Sequence, residues 1–178
     1  MKNFEALGLS SPVLKALSEM GFENPTEIQS QAIPLLLSKP QDFIGLAQTG
    51  TGKTAGFTLP LLRRLEVHAN TSMSPARHPV RALILVPTRE LVIQVADEIE
   101  KLSKYINLRV LGVYGGTNIN TQKQAVAQGT DIIVATPGRL YDLALSNVLK
   151  LKTIQKVVID EVDVMLDLGF RFQLLNIF

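Results

Sequence analysis

Two short segments of this sequence hold the residue types that phosphate chemistry requires. Residues 47–54 read Ala-Gln-Thr-Gly-Thr-Gly-Lys-Thr, and residues 160–163 read Asp-Glu-Val-Asp. In the first segment, the glycines let backbone N–H groups approach phosphate oxygens closely, and Lys53 supplies a positive charge. In the second, Asp160 can hold a metal ion and Glu161 can polarise an attacking water. Together the two segments predict the hydrolysis of a nucleoside triphosphate.

The elements around the first segment are those that a phosphate-binding loop needs. The apolar run at residues 43–47 predicts a buried strand, and residues 54–66 predict a helix. A strand, a glycine-rich turn and a helix, in that order, form the setting of such a loop, in which the Thr54 hydroxyl can ligate Mg²⁺. Ala47 stands where the strict pattern has its first glycine. The alternative interpretation is a glycine-rich turn with an exposed lysine.

The acidic segment follows a second apolar run, at residues 156–159, which also predicts a buried strand. Open α/β sheets bind ligands at the carboxyl ends of such strands. An alternative is that Asp160 and Asp163 cap a short helix at residues 164–168. Capping can explain Asp163, but it does not explain why Asp160 and Glu161 close an apolar strand.

Strands and helices alternate along most of the chain, which predicts an α/β fold with a mostly parallel sheet covered on both faces. Helix signals also open the chain, with Ser11 as a cap, Pro12 in the first turn and a stop at Gly21. The polar stretch at residues 68–79 predicts the one long loop. The strands are predicted near residues 43–47, 82–86, 109–114, 131–135 and 156–160. The helices that follow the first are predicted near residues 26–37, 54–66, 89–104, 119–128, 138–146 and 164–168.

The composition is that of an ordinary globular domain. The chain has 178 residues, which is enough for one domain with a sizeable core. Of these residues, 46% are hydrophobic and 19% are charged. Because the chain has no cysteine, disulfides and thiolate metal sites are excluded. No apolar run approaches the length of a membrane span, and a cytoplasmic location is expected. The net charge of +2 permits a polyanionic partner without requiring one.

Six segments of the chain, taken in order, resemble the motifs of the DEAD-box RNA helicases. The likeness runs from Phe4 to the last residues, and the flanking sequences resemble the bacterial RhlE-like branch most. The resemblance implies a three-layer αβα, RecA-like P-loop NTPase domain. The segments are the adenine-sensing Q motif at 21–29, motif I at 47–54, motif Ia at 87–91, a glycine pair at 115–116, motif Ib at 136–139 and motif II at 160–163.

The resemblance also implies ATP and Mg²⁺ as cofactors and the backbone of single-stranded RNA as partner. Backbone contacts carry no base information, so RNA binding is expected to be independent of sequence. The implied catalytic residues are Lys53, Asp160 and Glu161, and the implied Mg²⁺ ligands are Thr54 and Asp160, partly through water. The implied ATP-binding residues are Phe22, Asn24, Thr26, Gln29, Gln48, Thr49, Gly50, Thr51, Gly52, Lys53 and Thr54. The implied RNA-binding residues are Pro87, Thr88, Arg89, Gly116, Thr136, Pro137, Gly138 and Arg139.

Several of these residues also have a structural interpretation. Gln29 can accept from the N6 amine of adenine and donate to N7. However, Thr26 and Gln29 have the spacing of a capping box at a helix start. Phe22 can stack on a base or be a core aromatic. Thr136 with Pro137 is also the usual pairing of an N-cap with a first-turn proline.

The chain departs from the family pattern in two ways. Val162 stands where the family has alanine, and the 178 residues contain neither the Ser-Ala-Thr motif nor the second RecA-like domain with its arginine finger. The resemblance therefore implies a C-terminally truncated domain, inactive as a helicase by itself. In the family, the strand before Ser-Ala-Thr lies between the strands of motifs I and II, so these two strands are expected to lack a neighbour. Rival functions are a non-catalytic ATP- or RNA-binding module and a P-loop ATPase that acts on DNA or protein.

Overall fold

The computed structural model describes residues 3–39, 41–66 and 79–178. The loop predicted at residues 68–79 therefore lies, except for its last residue, outside the described residues. The chain divides into two compact units. The first unit holds the described residues up to 66 together with Ile99–Asn107, and the second holds residues 79–98 together with Leu108–Phe178.

The first unit is helical. A 3-10 turn at Phe4–Leu7 precedes three helices: α1 (Ser11–Glu19), α2 (Glu27–Ser38) and α3 (Lys53–Glu66). Helix α1 has Ser10 at the N-cap position, one residue before the predicted cap, so that Ser11 and Pro12 lie inside the first turn. Apolar side chains from all three helices are fully buried. They include Val13, Leu17, Ile33, Leu59 and Leu62.

Arg64 fastens helix α3 to the end of helix α2. Its guanidinium donates to the Leu36 carbonyl from Nε (3.0 Å) and Nη2 (2.7 Å), and Nη2 also reaches the Lys39 carbonyl (3.3 Å). These carbonyls belong to the last turn of a helix, where no backbone N–H is in place to satisfy them. The contact sets the position of α3, whose first turn carries the lysine of the glycine-rich segment.

A small polar cluster joins α1 to the part of the first unit that comes from residues 99–107. Lys104 donates to the Glu19 carboxylate at 2.6 Å, and Tyr105 donates to the same carboxylate. The hydrogen bond from Lys104, followed by that from Tyr105, lowers the pKa of Glu19 below its ordinary value. The Lys15 ammonium lies 4.1 Å from the centre of the Tyr105 ring. Lys15, Glu19 and Lys104 are solvent-exposed, so their charges contribute little to stability.

The second unit is built on a parallel sheet of four strands in the order β2-β3-β1-β4. Leu85 is level with Ala135 on one side and with Ile159 on the other, and Val113 is level with Ala135. All four strands therefore end at one edge of the sheet, hereafter the carboxyl edge. The strands are β1 (Ala82–Leu85), β2 (Val110–Val113), β3 (Ile132–Ala135) and β4 (Lys156–Ile159).

Helices separate these strands in the chain, which confirms the predicted α/β class with a parallel sheet. The positions of these four strands agree with the sequence prediction to within one residue at each end. Strands β1 and β3 are buried along their whole length, as a central position in a parallel sheet requires. The helices are α4 (Arg89–Leu102), α5 (Ile119–Ala127), α6 (Pro137–Leu145), α7 (Val162–Asp167) and α8 (Arg171–Ile177), with a 3-10 turn at Leu151–Thr153.

A buried ion pair fixes the strands at the edge opposite to the carboxyl edge. Arg81 precedes β1 and donates from Nη2 to Asp131, which precedes β3, at 2.8 Å. The second oxygen of the Asp131 carboxylate accepts the backbone N–H of Arg109, just before β2, at 2.9 Å. One carboxylate thus holds the starts of three strands in register. Because both side chains are buried, removal of either partner is expected to destabilise the fold more than removal of an exposed ion pair would.

The strand predicted at residues 43–47 does not form, and this prediction was wrong. These residues have no ladder partner in the described part of the chain, and Ile44 and Leu46 are 91% and 93% exposed. An apolar run shows that a segment can be buried, but a parallel strand exists only where another strand accepts its hydrogen bonds. The residues that lead into the glycine-rich segment are therefore irregular in conformation and do not form a strand.

Strand β4 is an edge strand whose outer side has no partner among the described residues. It pairs with β1 only, and Val157 and Ile159, which point to the same face, are 44% and 42% exposed. An apolar edge strand with open N–H and C=O groups is a template for pairing with another chain.

No helix of the described residues is both long enough and apolar enough to cross a membrane.

We expect Val157→Lys to reduce self-association of the 178-residue chain, because a charge on an edge strand opposes edge-to-edge pairing. The side chain is half-exposed, so the free energy of unfolding should change by about 0.5 kcal/mol or less. Light scattering against protein concentration measures the effect. Ile93→Lys is the matched control, since it places the same charge on an exposed position of helix α4. Equal effects of both substitutions would show that the edge is not the site of association.

Candidate functional site

The glycine-rich segment forms a tight turn that leads directly into helix α3. Gly50 and Gly52 have φ values of 81° and 85°, in the left-handed region that favours glycine. The Thr51 hydroxyl donates to the Gln48 carbonyl at 2.6 Å and closes the turn. Helix α3 begins at Lys53, and its Gly56 N–H bonds to the Gly52 carbonyl at 3.0 Å. The leading N–H groups of a helix point along its axis towards such a turn, which suits an anion.

Gln29 joins the Q-motif segment to this turn. Its Nε2 donates to the Gly52 carbonyl at 3.1 Å, and the side chain is fully buried. A Cβ on Gly52 would lie 2.4 Å from Nε2, so only glycine fits at this position. The contact places the amide of Gln29 directly beside the loop.

The capping-box interpretation of Gln29 is confirmed. The backbone N–H of Thr26 donates to Gln29 Oε1 at 3.0 Å, and the backbone N–H of Gln29 donates to the Thr26 hydroxyl at 3.4 Å. The two residues thus satisfy each other at the start of α2. Each terminal atom of the Gln29 amide holds one partner and keeps one further hydrogen-bonding position.

Phe22 is half-buried and packs edge-on against the buried Phe4 ring, with ring centroids 6.4 Å apart. It is therefore a supported surface aromatic rather than a member of the core. Asn24 and Thr26 are exposed beside it in the chain. The Q-motif segment presents an aromatic surface and short polar side chains, a combination that suits a flat heterocycle.

The acidic segment begins where β4 ends. The Asp160 N–H still bonds to the Leu85 carbonyl at 3.0 Å, so Asp160 belongs to the last rung of the ladder. Its Oδ1 accepts the Glu161 N–H at 3.0 Å. Glu161 is left-handed, with φ 55° and ψ 47°, which is unfavourable for a residue with a Cβ. Backbone strain of this kind is concentrated at functional sites.

The helix-capping alternative for this segment was wrong. Helix α7 starts at Val162, two residues earlier than predicted, and Glu161 takes the N-cap position without a side-chain cap. Asp163 lies inside the first turn, where its negative charge interacts favourably with the positive end of the helix dipole. Val162 is 47% exposed. Its two extra methyl groups relative to alanine are therefore not forced into a closed space in the described structure.

Four of the segments singled out in the sequence follow the strand ends at the carboxyl edge of the sheet. Motif Ia follows β1, the glycine pair follows β2, motif Ib follows β3 and motif II follows β4. The parallel topology brings together residues that are far apart in the sequence. They include Pro87, Thr88 and Arg89, Gly116, Thr136, Pro137, Gly138 and Arg139, and Asp160 with Glu161.

The motif Ia and Ib residues start helices. The Thr88 hydroxyl accepts the Leu91 N–H at 3.3 Å and caps helix α4. Thr136 is at the N-cap of α6 and Pro137 is its first residue, but the Thr136 side chain makes no capping hydrogen bond. Thr136 and Pro137 therefore occupy the predicted positions at the start of the helix, but the Thr136 hydroxyl does not cap it.

Two arginines at this edge are oriented by neighbouring groups. The Arg89 guanidinium lies over the Tyr114 ring, 5.1 Å from its centre. Arg139 donates from Nη1 to Gln122 Oε1 and from Nη2 to the Thr117 carbonyl, both at 2.9 Å. Sequence reasoning did not single out these three partners. Gln122 has a weak signal in the sequence, since it is a polar residue one turn after Ile119 and one turn before Val126 on the apolar face of α5.

Comparisons with known proteins give one consistent result. The DEAD/DEAH box helicase family pattern matches residues 26–178. The DEAD-box ATP-dependent RNA helicase CshA of Bacillus cereus is 44% identical over 170 residues, which are 96% of this chain and 31% of that relative. The RNA helicase CrhR of Synechocystis is 47% identical over 167 residues, 94% of this chain and 32% of that relative.

Solved structures of DEAD-box proteins are also similar to this chain. The yeast DEAD-box splicing factor Prp28 superimposes with a TM-score of 0.90 at 35% identity, covering 99% of this chain and 41% of Prp28. A DEAD box protein of Methanococcus jannaschii superimposes with a TM-score of 0.87 at 40% identity, covering 98% of this chain and 46% of that protein. The chain spans about a third of the length of the curated relatives that it matches. The finer expectation of an RhlE-like branch stays a prediction.

Proposed function

Because the chain belongs to the DEAD/DEAH box helicase family, we propose that it is the ATP-binding, RecA-like part of an ATP-dependent RNA helicase. One observation carries the proposal. The Gln29 amide, a group suited to pairing with the edge of adenine, is bonded to the carbonyl of Gly52 in a loop suited to phosphates. A base reader and a phosphate loop joined in this way fit one nucleotide. The proposal places the protein in the cytoplasm, where ATP and RNA are both present.

In this proposal the glycine-rich turn and the first turn of α3 hold the phosphates. Lys53 attracts the β- and γ-phosphates, and Phe22 stacks on the adenine. Gln29 uses the remaining hydrogen-bonding position on each amide atom for the adenine edge. Because Gln29 is fully buried, this pairing requires the Q-motif segment to move outward. The turn residues involved are Gln48, Thr49, Gly50, Thr51, Gly52 and Thr54, with Asn24 and Thr26 beside the base.

Two residues, one in each compact unit, carry oxygen donors of the kind that Mg²⁺ binds. Mg²⁺ in nucleotide enzymes takes one or two protein oxygens and completes its shell with phosphate oxygens and waters. Thr54 offers a hydroxyl and Asp160 a carboxylate, and the described residues contain no group of three or more acidic, histidine or cysteine side chains that could hold a metal alone. The ion would neutralise phosphate charge. Glu161 would orient the attacking water and accept its proton.

The carboxyl edge of the second unit is proposed to hold RNA through its phosphates. Hydroxyls of Thr88 and Thr136, the starts of helices α4 and α6, and the charges of Arg89 and Arg139 are all groups that bind phosphate. Gly116, with φ 80°, permits a close approach of its backbone. Such contacts do not read bases, so one single strand should bind much like another.

Phosphate release from ATP by the full-length protein tests the proposal. We expect release to be stimulated by single-stranded RNA of any sequence and not by DNA of the same sequence. Stimulation by DNA, or by neither, would contradict the proposal. ATP and RNA binding without any phosphate release would identify a non-catalytic module instead.

We expect Gln29→Ala to weaken the preference for ATP over GTP. A lost bidentate base contact corresponds to about 1–3 kcal/mol, or a roughly tenfold to hundredfold loss of selectivity. Competition titrations with ATP and GTP measure the preference, and a melting curve measures the stability lost with the capping box. Gln31→Ala, an exposed position on the same helix, is the matched control. A lower melting temperature with unchanged base preference would show that Gln29 is structural only.

We further propose that the chain needs a second RecA-like domain and one more strand for its full activity. The open side of β4 and the exposed segment at residues 43–47 support this proposal, because each offers a backbone without a ladder partner among the described residues.

A further inference from the structure

A hydrogen-bonded network at the carboxyl edge is centred on Gln122, which lies on helix α5. Gln122 Oε1 accepts from Arg139 Nη1 at 2.9 Å. Gln122 Nε2 donates to the Thr117 hydroxyl at 2.8 Å and to the Tyr114 carbonyl at 3.2 Å. The Thr117 hydroxyl donates in turn to the Tyr114 carbonyl at 3.2 Å. The network therefore ties helix α6, which carries Arg139, to the loop that contains the glycine pair.

The same network extends to the third segment at this edge. The Tyr114 ring, whose backbone carbonyl is held by Gln122, supports the Arg89 guanidinium at 5.1 Å. Arg139 completes the connection by donating from Nη2 to the Thr117 carbonyl at 2.9 Å. Segments that follow three different strands are thus linked through one buried side chain.

The position of Gln122 requires a side chain with hydrogen-bond donors and an acceptor, which an apolar side chain cannot supply. An amide offers two N–H donors and one strong acceptor, and here both donors and the acceptor are used. The residue is 9% exposed, so an apolar replacement would leave the Tyr114 carbonyl with the Thr117 hydroxyl as its remaining side-chain donor, and would leave Arg139 Nη1 without the oxygen to which it donates. Arg139 keeps its Nε–H and one further N–H on each terminal nitrogen for a ligand.

We propose that Gln122 is a positioning residue for RNA binding, which sets Arg139 and the glycine-pair loop in the geometry that a phosphate backbone requires. The inference rests on the proposed function, since it takes the carboxyl edge as the RNA site. Gln122 does not touch the RNA. It holds groups that do, and so removes the entropic cost of ordering them when the strand binds.

Steady-state ATPase assays of the full-length protein with single-stranded oligouridylate test this role. We expect Gln122→Met to raise the RNA concentration for half-maximal stimulation about tenfold, with kcat at saturating RNA and KM for ATP little changed. Thr117→Val, at an exposed position that tolerates the change, removes the hydroxyl of the network and should raise it about threefold. Gln124→Met, at an exposed position of the same helix, is the control and should have no effect.

Two readouts separate positioning from a general loss of structure. Gln122 is uncharged, yet its loss should lower the salt dependence of RNA binding by about 0.7 in the log–log slope, the value for one phosphate contact on a single strand. In an Arg139→Ala background, Gln122→Met should add about threefold or less, because most of its effect passes through Arg139 and only the remainder through the glycine-pair loop. An unchanged salt slope, or fully multiplicative effects in the double variant, would overturn the proposal.

The outcome also separates this inference from the function on which it rests. If Arg139→Ala itself leaves RNA stimulation unchanged, the carboxyl edge is not the RNA site and both proposals fail. If Arg139→Ala weakens RNA stimulation while Gln122→Met and Thr117→Val do not, the RNA site stands and the positioning role of Gln122 is rejected.

Discussion

Glu161→Gln is expected to lower the rate of ATP hydrolysis by about 10²–10⁴-fold while ATP still binds, because an amide cannot accept the proton of the attacking water. The substitution keeps the size and shape of the side chain. It also keeps the left-handed backbone at residue 161, which the structure imposes rather than the carboxylate. Phosphate release at saturating ATP and RNA, with ATP affinity measured by a fluorescent analogue, checks both parts of this prediction.

Two companion variants make the result specific. Asp167→Asn makes the same change of charge at an exposed residue that ends helix α7, and it should leave the rate at the parent value. Lys53→Ala removes the positive charge next to the phosphates and should weaken ATP binding itself. If Glu161→Gln hydrolyses ATP at the parent rate, Glu161 does not orient the water and the strain at this residue has another origin.

Residues 1–178 expressed alone are expected to hydrolyse ATP about 10³–10⁵-fold more slowly than a protein in which a second RecA-like domain follows them. An arginine finger contributes a factor of this size in P-loop enzymes, and the family resemblance implies that the second domain supplies it. RNA should fail to stimulate the isolated chain, because domain closure around both ligands is then impossible. Phosphate release by the isolated chain and by the full-length protein, at equal ATP occupancy, gives the ratio.

The stability of the isolated chain provides a second check on the same proposal. The open side of β4 leaves an apolar edge strand exposed to solvent in the isolated chain, so residues 1–178 should give a broad melt and weak ATP binding. An extension through the next strand should sharpen the melt and restore ATP affinity. A sharp, cooperative melt with full ATP affinity for residues 1–178 would show that the described fold needs no further strand.

Local features of this protein could be predicted from sequence because their causes are local. The capping box of Thr26 and Gln29 depends on two side chains one helical turn apart, and the turn at Gly50 and Gly52 depends on residues that tolerate positive φ. Alternation of helices and strands identified the parallel sheet, and four strands were located to within one residue. The motifs identified the family, since their order is carried by the sequence itself.

Other features were decided by contacts between distant residues. The apolar run at residues 43–47 resembles a strand, but strand formation depends on a neighbour that no local pattern reports, and the segment is exposed instead. Helix α7 starts early because Glu161 adopts a left-handed backbone that its residue type does not favour. Such outcomes follow from the surrounding packing, which offsets a local preference worth only about 1–2 kcal/mol.

The sequence by itself determined which residues can do the chemistry: the lysine and glycines of one loop, the acids of another, and the threonines and arginines after two strands. Only the tertiary structure decided how these residues are held. The bond from Gln29 to Gly52 joins residues 23 positions apart, and Gln122 meets Arg139 across 17. A hydrogen bond of this kind depends on the positions of two separate elements, and those positions are set by the burial of apolar side chains throughout each unit.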